Sequence, residues 1–276
     1  MGLFDGKKGL ILGVANDRSI AWAIARKIMN EGGQCGFTHL PDRPDDQRQK
    51  NRRRVEKCTE SFEQAKFLVP LNVQDDEQIA SVVGRAKEEF GTIDFLLHSI
   101  AFADRDDLMK ETIATSREGF KMAMEISAFS LMAIGNAARE IMGPGGSIAT
   151  MTYFGGEKCV PGYNVMGICK AALDSAVQYM AYDLGSRGIR VNAVSAGPLK
   201  TLASTAVGAG DMLTLYQHVA PLGRNITHEE VGNAGAFLLS DMSDGITGEI
   251  MHIDGGYNMM GSPGRLLEKI KEAQSK

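Results

Sequence analysis

A chain of 276 residues, 43% of them apolar and 32 of them glycine, can bury the core of one large α/β domain or two small ones. A net charge of −4 gives neither nucleic acid nor an anionic membrane a reason to be the main partner. The opening MGLFDGKKGLILG lacks the apolar core and cleavage site of a signal peptide, and Gly6 breaks the myristoylation pattern. No apolar run nears the roughly 20 residues that span a bilayer. Cys35, Cys58, Cys159 and Cys169 form no CxxC or regular spacing. A cytoplasmic protein with reduced thiols is expected.

Short apolar runs alternate with longer amphipathic ones along the whole chain. A strand is predicted over 7–14, then a helix over 19–33 closing on glycines. A second strand over 34–40 precedes a charged stretch, 43–60, read as helix. A third strand, 66–73, is followed by a helix over 75–91 with acidic residues in its first turn, and a fourth strand spans 93–101. A long helical region covers roughly 112–142, and a fifth strand 145–153. The helix carrying Tyr163 and Lys170 comes next, followed by a sixth strand over 188–198. An irregular segment, a helix near 228–240 and a seventh strand over 248–257 complete the pattern. The strands are continuous apolar runs, as a parallel sheet covered on both faces requires. The fold class expected is α/β: a Rossmann-like, doubly wound, mostly parallel seven-stranded sheet in a single domain spanning 1–276. In such sheets ligands bind at the carboxyl ends of the strands.

Those strand ends carry the chemistry. GVANDRSIA (13–21) leaves the first strand for a helix. Gly13 permits a sharp turn, Ser19 supplies a hydroxyl, and the helix N-terminus offers free N–H groups to a diphosphate. The segment is not GxGxxG, and taken alone it reads equally as an ordinary βα loop with a serine cap. LNV (71–73) offers Asn72 to an adenine edge. HSIAFA (98–103) offers small residues on which a flat ligand can lie. SAGPLKTLA (195–203) turns at Gly–Pro and presents Thr201. In YNVMGICK (163–170), seven helical positions bring Lys170 back to within roughly 20° of Tyr163, two turns along at about 10 Å. His98 reads as a strand-end residue bonded locally, and the 15 methionines as core and pocket filler. No metal-ligand set or serine-hydrolase motif is present.

The segments GVANDRSIAWAIA, LLHSIAFA, REGFKMAMEISAFS, YNVMGICKAAL, RVNAVSAGPLKTLA, EEVGNAGAFLLSD and GITGEIMHIDGGY follow one another from about 10 to 257. In that order they resemble the short-chain dehydrogenase/reductase superfamily, and within it the enoyl-acyl-carrier-protein reductases of bacterial fatty-acid synthesis. More common branches place Tyr and Lys four apart and carry N-N-A-G after the fourth strand. Here the gap is seven and HSIA stands in that place.

The resemblance implies NADH-driven reduction of the trans-2 double bond of an enoyl thioester carried on acyl-carrier protein, by a homotetramer. It implies catalytic roles for Tyr163 and Lys170, with Tyr153 where the common branch has serine. Cofactor contacts are implied at Gly13, Ser19, Ile20, Leu40, Asn72, Val73, Ile100, Lys170, Leu199, Thr201 and Ala203. Substrate contacts are implied at Ala103, Tyr153, Tyr163 and Met166, with a substrate loop or lid at about 197–220. Two departures stand out. Leu40 replaces a polar adenine contact, and Asp42 lies slightly beyond the place of a ribose-binding acid, which leaves NADPH open beside NADH. The segment 203–218 of the lid also lacks lysine and arginine that would dock a carrier, and the run 48–57 is either a carrier-docking surface or a solvated helix face. A carbonyl or 3-oxoacyl reductase and a non-catalytic dinucleotide-binding regulator are the alternative readings.

Overall fold

The computed structural model describes residues 2–201 and 210–274. Among them seven strands form one parallel sheet: β1 (Lys8–Leu12), β2 (Gln34–His39), β3 (Ala65–Pro70), β4 (Ile93–His98), β5 (Met142–Thr152), β6 (Arg190–Ala196) and β7 (Ile250–Ile253). Their spatial order is β3-β2-β1-β4-β5-β6-β7, and every neighbouring pair is parallel. The winding direction reverses between β1 and β4, so the switch point lies where Gly13 and Ser99 leave those strands.

Successive residues of a strand face opposite sides, and the chain uses both sides for core. Ile11, Phe95, Leu97, Ala149, Met151 and Val194 pack on one face beneath α1 (Ile20–Asn30) and, later in the chain, His228–Leu239. Leu10, Leu12, Leu96, Ile148, Val191 and Ala193 pack on the other, against α3 (Asp76–Phe90) and α7 (Asn164–Gly185). Asp75 caps α3 by accepting from the backbone N–H groups of Glu77 and Gln78. Between β2 and β3 runs α2 (Lys50–Thr59). It begins later than the predicted 43–60 because Asp42 and Asp46 hold the preceding loop by accepting backbone N–H groups. Its basic run forms an exposed face, with Arg52 paired to Glu56, over buried Val55 and Cys58.

The long helical region expected over 112–142 is divided. A short α4 (Arg105–Met109) precedes it, then α5 (Arg117–Met124), a π turn (Glu125–Phe129) and α6 (Ser130–Ala138). Residue 142 already belongs to β5. The π turn buries Ser127, whose hydroxyl donates to the Phe102 carbonyl and accepts the Phe102 N–H, both at 3.0 Å. The loop after β4 is thereby pinned. Beyond β6 come α8 (Gly210–Val219), α9 (His228–Leu239) and, after β7, a C-terminal α10 (Arg265–Gln274). A capping box between Thr227 and Glu230 opens α9.

Candidate active site

Each strand end places one part of the site. At the end of β1, Gly13 has φ +98°, and a Cβ there would run into the Ser99 carbonyl oxygen. Only glycine satisfies both the left-handed backbone and the close approach of two strand ends. Ser19 precedes α1 without making the side-chain cap expected of an ordinary serine. Its oxygen instead accepts the N–H groups of Ala15 and Asn16 at 2.9 and 3.0 Å, which leaves the hydroxyl proton to donate outward. Ile20 is the first residue of α1. A cleft of about 930 Å³ opens beside this turn, lined by Arg18, Leu199, Lys200, Leu213, Gln217 and His228 among others.

The other predicted contacts fall unevenly. Leu40 is 64% exposed after β2, and the Asp42 carboxylate is taken by the N–H groups of Asn51 and Arg52. Asp42 is therefore committed to starting α2. Asn72 turns the chain after β3 by accepting the Gln74 N–H, and Val73 is buried in the core. Ile100 is half-buried and packs against the same core. Leu199 is buried in the opposite layer, and Thr201 N–H donates to the Leu199 carbonyl at 3.0 Å. Ala203 and residues 202–209 of the expected lid lie outside the described residues.

Tyr163 departs from the helix-face reading. It stands at the N-cap of α7, and Asn164, the first helical residue, has φ +40°. Asparagine tolerates this left-handed conformation. Its side-chain amide donates to the Leu108 carbonyl at 2.7 Å and also to that of Lys110, which ties the turn to the end of α4. The 20° and 10 Å relation of a regular helix does not apply from Tyr163 to Lys170. The tyrosine is aimed by its turn and by contact: a side chain at Gly155 would strike the Tyr163 ring. On the other side Tyr153 packs edge-on, ring centroids 4.8 Å apart at 73°. Met166 is buried with Val165, Cys169 and Ala123, and Ala103, Leu108 and Tyr163 pack onto this small cluster. Ala103 and Met166 thus wall the tyrosine.

The Tyr163 hydroxyl has no hydrogen-bond partner among the described residues. Burial, followed by the neighbouring Tyr153, Cys169 and Asp174, raises its pKa above the ordinary phenol range. It is a proton donor at neutral pH and not a base. Lys170 is buried and donates to the Met151 carbonyl at 2.7 Å, with its other ammonium protons unclaimed among the described residues. Burial lowers it to about 8, opposed by the charge of Asp174. Asp174 lies one turn further along α7, with both oxygens shielded from solvent and no donor in bonding geometry. Burial lifts its carboxyl to about 6, and the Thr152 hydroxyl and Lys170 charge pull it only part of the way back.

Sequence reasoning placed His98 at a strand end, and the structure gives it partners from two other elements. Nδ1 lies 2.9 Å from Thr150 Oγ1 and Nε2 2.8 Å from Ser130 Oγ. Ser130 donates its own proton to the Ile126 carbonyl, so it accepts from His98, which fixes the tautomer with the proton on Nε2. Burial, aided by the Lys170 charge, lowers His98 to about 3 and keeps it neutral. One residue that motif reading passed over also reaches the site: the Tyr216 hydroxyl meets that of Tyr153 at 3.3 Å. No group of three or more His, Cys, Asp and Glu among the described residues is placed to hold a metal ion.

This arrangement offers a proton donor, a buried cation and a turn shaped for a diphosphate along one edge of the sheet. The model of the family described as enoyl-(acyl carrier protein) reductase matches residues 13–258. The NADH enoyl-[acyl-carrier-protein] reductase FabI of Nostoc sp. strain PCC 7120 is 49% identical over 93% of this chain and 98% of its own length. The crystal structure of the Anaplasma phagocytophilum reductase in complex with NAD superposes with a TM-score of 0.88 at 43% identity, covering 95% of this chain and 97% of that one. The Bacillus cereus reductase, solved with NADP+ and indole naphthyridinone, gives 0.89 at 46% identity, covering 95% and 100%. With the family model spanning both the glycine turn and the Tyr–Lys segment, the chain belongs to the enoyl-(acyl carrier protein) reductase family.

Proposed function

We propose that this chain reduces the trans-2 double bond of enoyl thioesters on acyl-carrier protein with NADH, closing the fatty-acid elongation cycle, and that Tyr163, Lys170 and Tyr153 carry the reaction. The observation that supports this best is the unpartnered Tyr163 hydroxyl, held beside Tyr153 and a buried Lys170. Reduced nicotinamide supplies hydride to Cβ when bound. Gly13, Ser19 and the start of α1 would hold its diphosphate, and the free Lys170 protons its ribose hydroxyls. Tyr163, kept protonated by burial, donates to the thioester oxygen, where charge develops as the enolate forms. That bond strengthens in the transition state, so it accelerates turnover more than it tightens substrate binding. The Lys170 charge adds positive potential to the same pocket. Ala103 and Met166 wall the acyl chain, and the segment at about 197–220 covers it as a lid.

The assembly that goes with this function is a cytoplasmic homotetramer. No helix of the described residues is long and apolar enough to cross a membrane.

The test follows NADH and NADPH oxidation with crotonyl and acetoacetyl thioesters. Oxidation of NADH by crotonyl thioester is expected, with Tyr163→Phe about a hundredfold slower and its NADH dissociation constant near the parent value. Turnover of the ketoester alone would overturn the reading, and binding without turnover of either would favour a regulator.

A further inference from the structure

Tyr216 sits on α8, inside the segment 197–220 expected to be a substrate lid, but the sequence assigns it no catalytic or binding role. Its ring is 1% exposed. It stacks on Tyr257 with centroids 3.8 Å apart and planes within 13°. Across the end of β6 it meets Gly197, where an added Cβ would lie 3.4 Å from the ring edge. A ring held on two sides fixes its hydroxyl, and that hydroxyl donates to the Tyr153 oxygen at 3.3 Å.

The consequence lies in the Tyr153 proton. A phenol that accepts a hydrogen bond becomes a stronger donor, because the two bonds polarise each other. With its oxygen already occupied by Tyr216, Tyr153 keeps its proton for another acceptor. Tyr153 is packed against Tyr163, the expected donor to the thioester. The buried Asp254 carboxylate nearby, itself held by the N–H groups of Gly256 and Asn258, favours the protonated forms of Tyr153 and Tyr216.

We propose that Tyr216 is a positioning residue of the reaction: by donating to the Tyr153 hydroxyl it aims the Tyr153 proton at the acyl thioester, so that the seating of α8 sets the donor strength of the site. The proposal rests on the reading of Tyr153 as a substrate contact. The seating of α8 is itself secured from the C-terminal helix. Lys269 Nζ bonds His218 Nδ1 at 2.9 Å, and Arg265 donates to the Pro221 carbonyl at 3.1 Å. Contacts beyond residue 260 are thereby linked to the hydrogen bonding of the strand ends.

A double-mutant cycle decides it: Tyr216→Phe, Tyr153→Phe and the pair, assayed with crotonyl thioester at saturating NADH. Tyr216→Phe keeps the stacked ring and removes one hydroxyl. It is expected to lower kcat by about two- to tenfold, the range of one neutral hydrogen bond, with the NADH dissociation constant unchanged. Tyr153→Phe should lose at least as much, and the double variant no more than Tyr153→Phe alone, since the Tyr216 hydroxyl then has nothing to aim. Parent turnover in Tyr216→Phe beside a slow Tyr153→Phe overturns the proposal and leaves the site reading intact. Losses that multiply in the double variant also overturn it. Parent turnover in Tyr153→Phe removes Tyr153 from the reaction and sinks the site reading on which the proposal stands. If Tyr216→Phe also loosened the fold, the cycle would still decide. A packing defect slows the Tyr153→Phe background as much as the parent.

Discussion

At the scale of single residues, the site works by burying charge and hydroxyl groups with fewer partners than they can use. Lys170 is the clearest case, since burial lowers its ammonium from 10.5 to about 8. The sign of the effect follows directly. In the unfolded chain the lysine holds its proton to about 10.5, and in the fold it gives it up near 8. Between those values the unfolded state binds more protons, and this group's contribution to stability rises with pH. With the proposed role of Lys170, function runs the other way, because a cofactor held by its ammonium needs the charged form. NADH affinity is therefore expected to fall as pH rises through about 8, with the dissociation constant flat from 6 to 7. Fluorescence titration of NADH across pH 6 to 9.5 checks this. Lys170→Ala should bind weakly and lose the inflection, and a parent curve flat through pH 9.5 would refute the role of the charge.

At the scale of elements, the turns carry more of the site than the helices and strands they join. Gly13→Ala places a methyl against the Ser99 carbonyl in a backbone conformation with φ +98°. The turn must then distort at the switch point of the sheet, at a cost of about 1–3 kcal/mol. The expected outcome is a lower melting midpoint and at least tenfold weaker NADH binding, measured by calorimetry. A variant with parent stability and affinity would show that the turn tolerates the shift. The same contrast explains what the sequence could reveal. Continuous apolar runs such as IDFLLH, and turn glycines such as Gly13, mark strands and switch points because burial on two faces and positive φ leave few residue choices. The Tyr–Lys pair was readable as a motif. Its geometry was not, because Asn164 enters α7 left-handed and the amide bonds that hold it come from the end of α4, more than fifty positions earlier. The π turn at Ser127 and the Tyr216–Tyr153 bond were hidden for the same reason, since each depends on a contact between distant segments. Val73 shows the converse: its place in a strand-end motif was legible, but its burial in the cluster that holds Ile79 and Val82 of α3 was not.

For the whole molecule, the surface argues for assembly. Along α7, Ile168, Ala171, Ser175, Tyr179 and Tyr182 recur at spacings of three and four and form one outward stripe, with Tyr179 72% and Tyr182 85% exposed. Phe129 and Met132, in the preceding helical segment, are also large apolar residues left facing solvent. At the end of the sheet, β7 pairs with β6 on one side and is half-buried along its length. An edge strand and a contiguous apolar face on one chain are the features that subunit contacts cover. A symmetric pairing of such a stripe with its copy would bury each tyrosine twice per interface, so a single charge there acts twice. Light scattering is expected to give a mass near four times the 29.8 kDa of one chain. Tyr182→Glu should lower that mass while circular dichroism keeps its helical and strand content, because the substituted residue makes little contact within its own subunit. A parent protein that scatters as a monomer would refute the tetramer, and a Tyr182→Glu variant of unchanged mass would move the interface elsewhere on the surface.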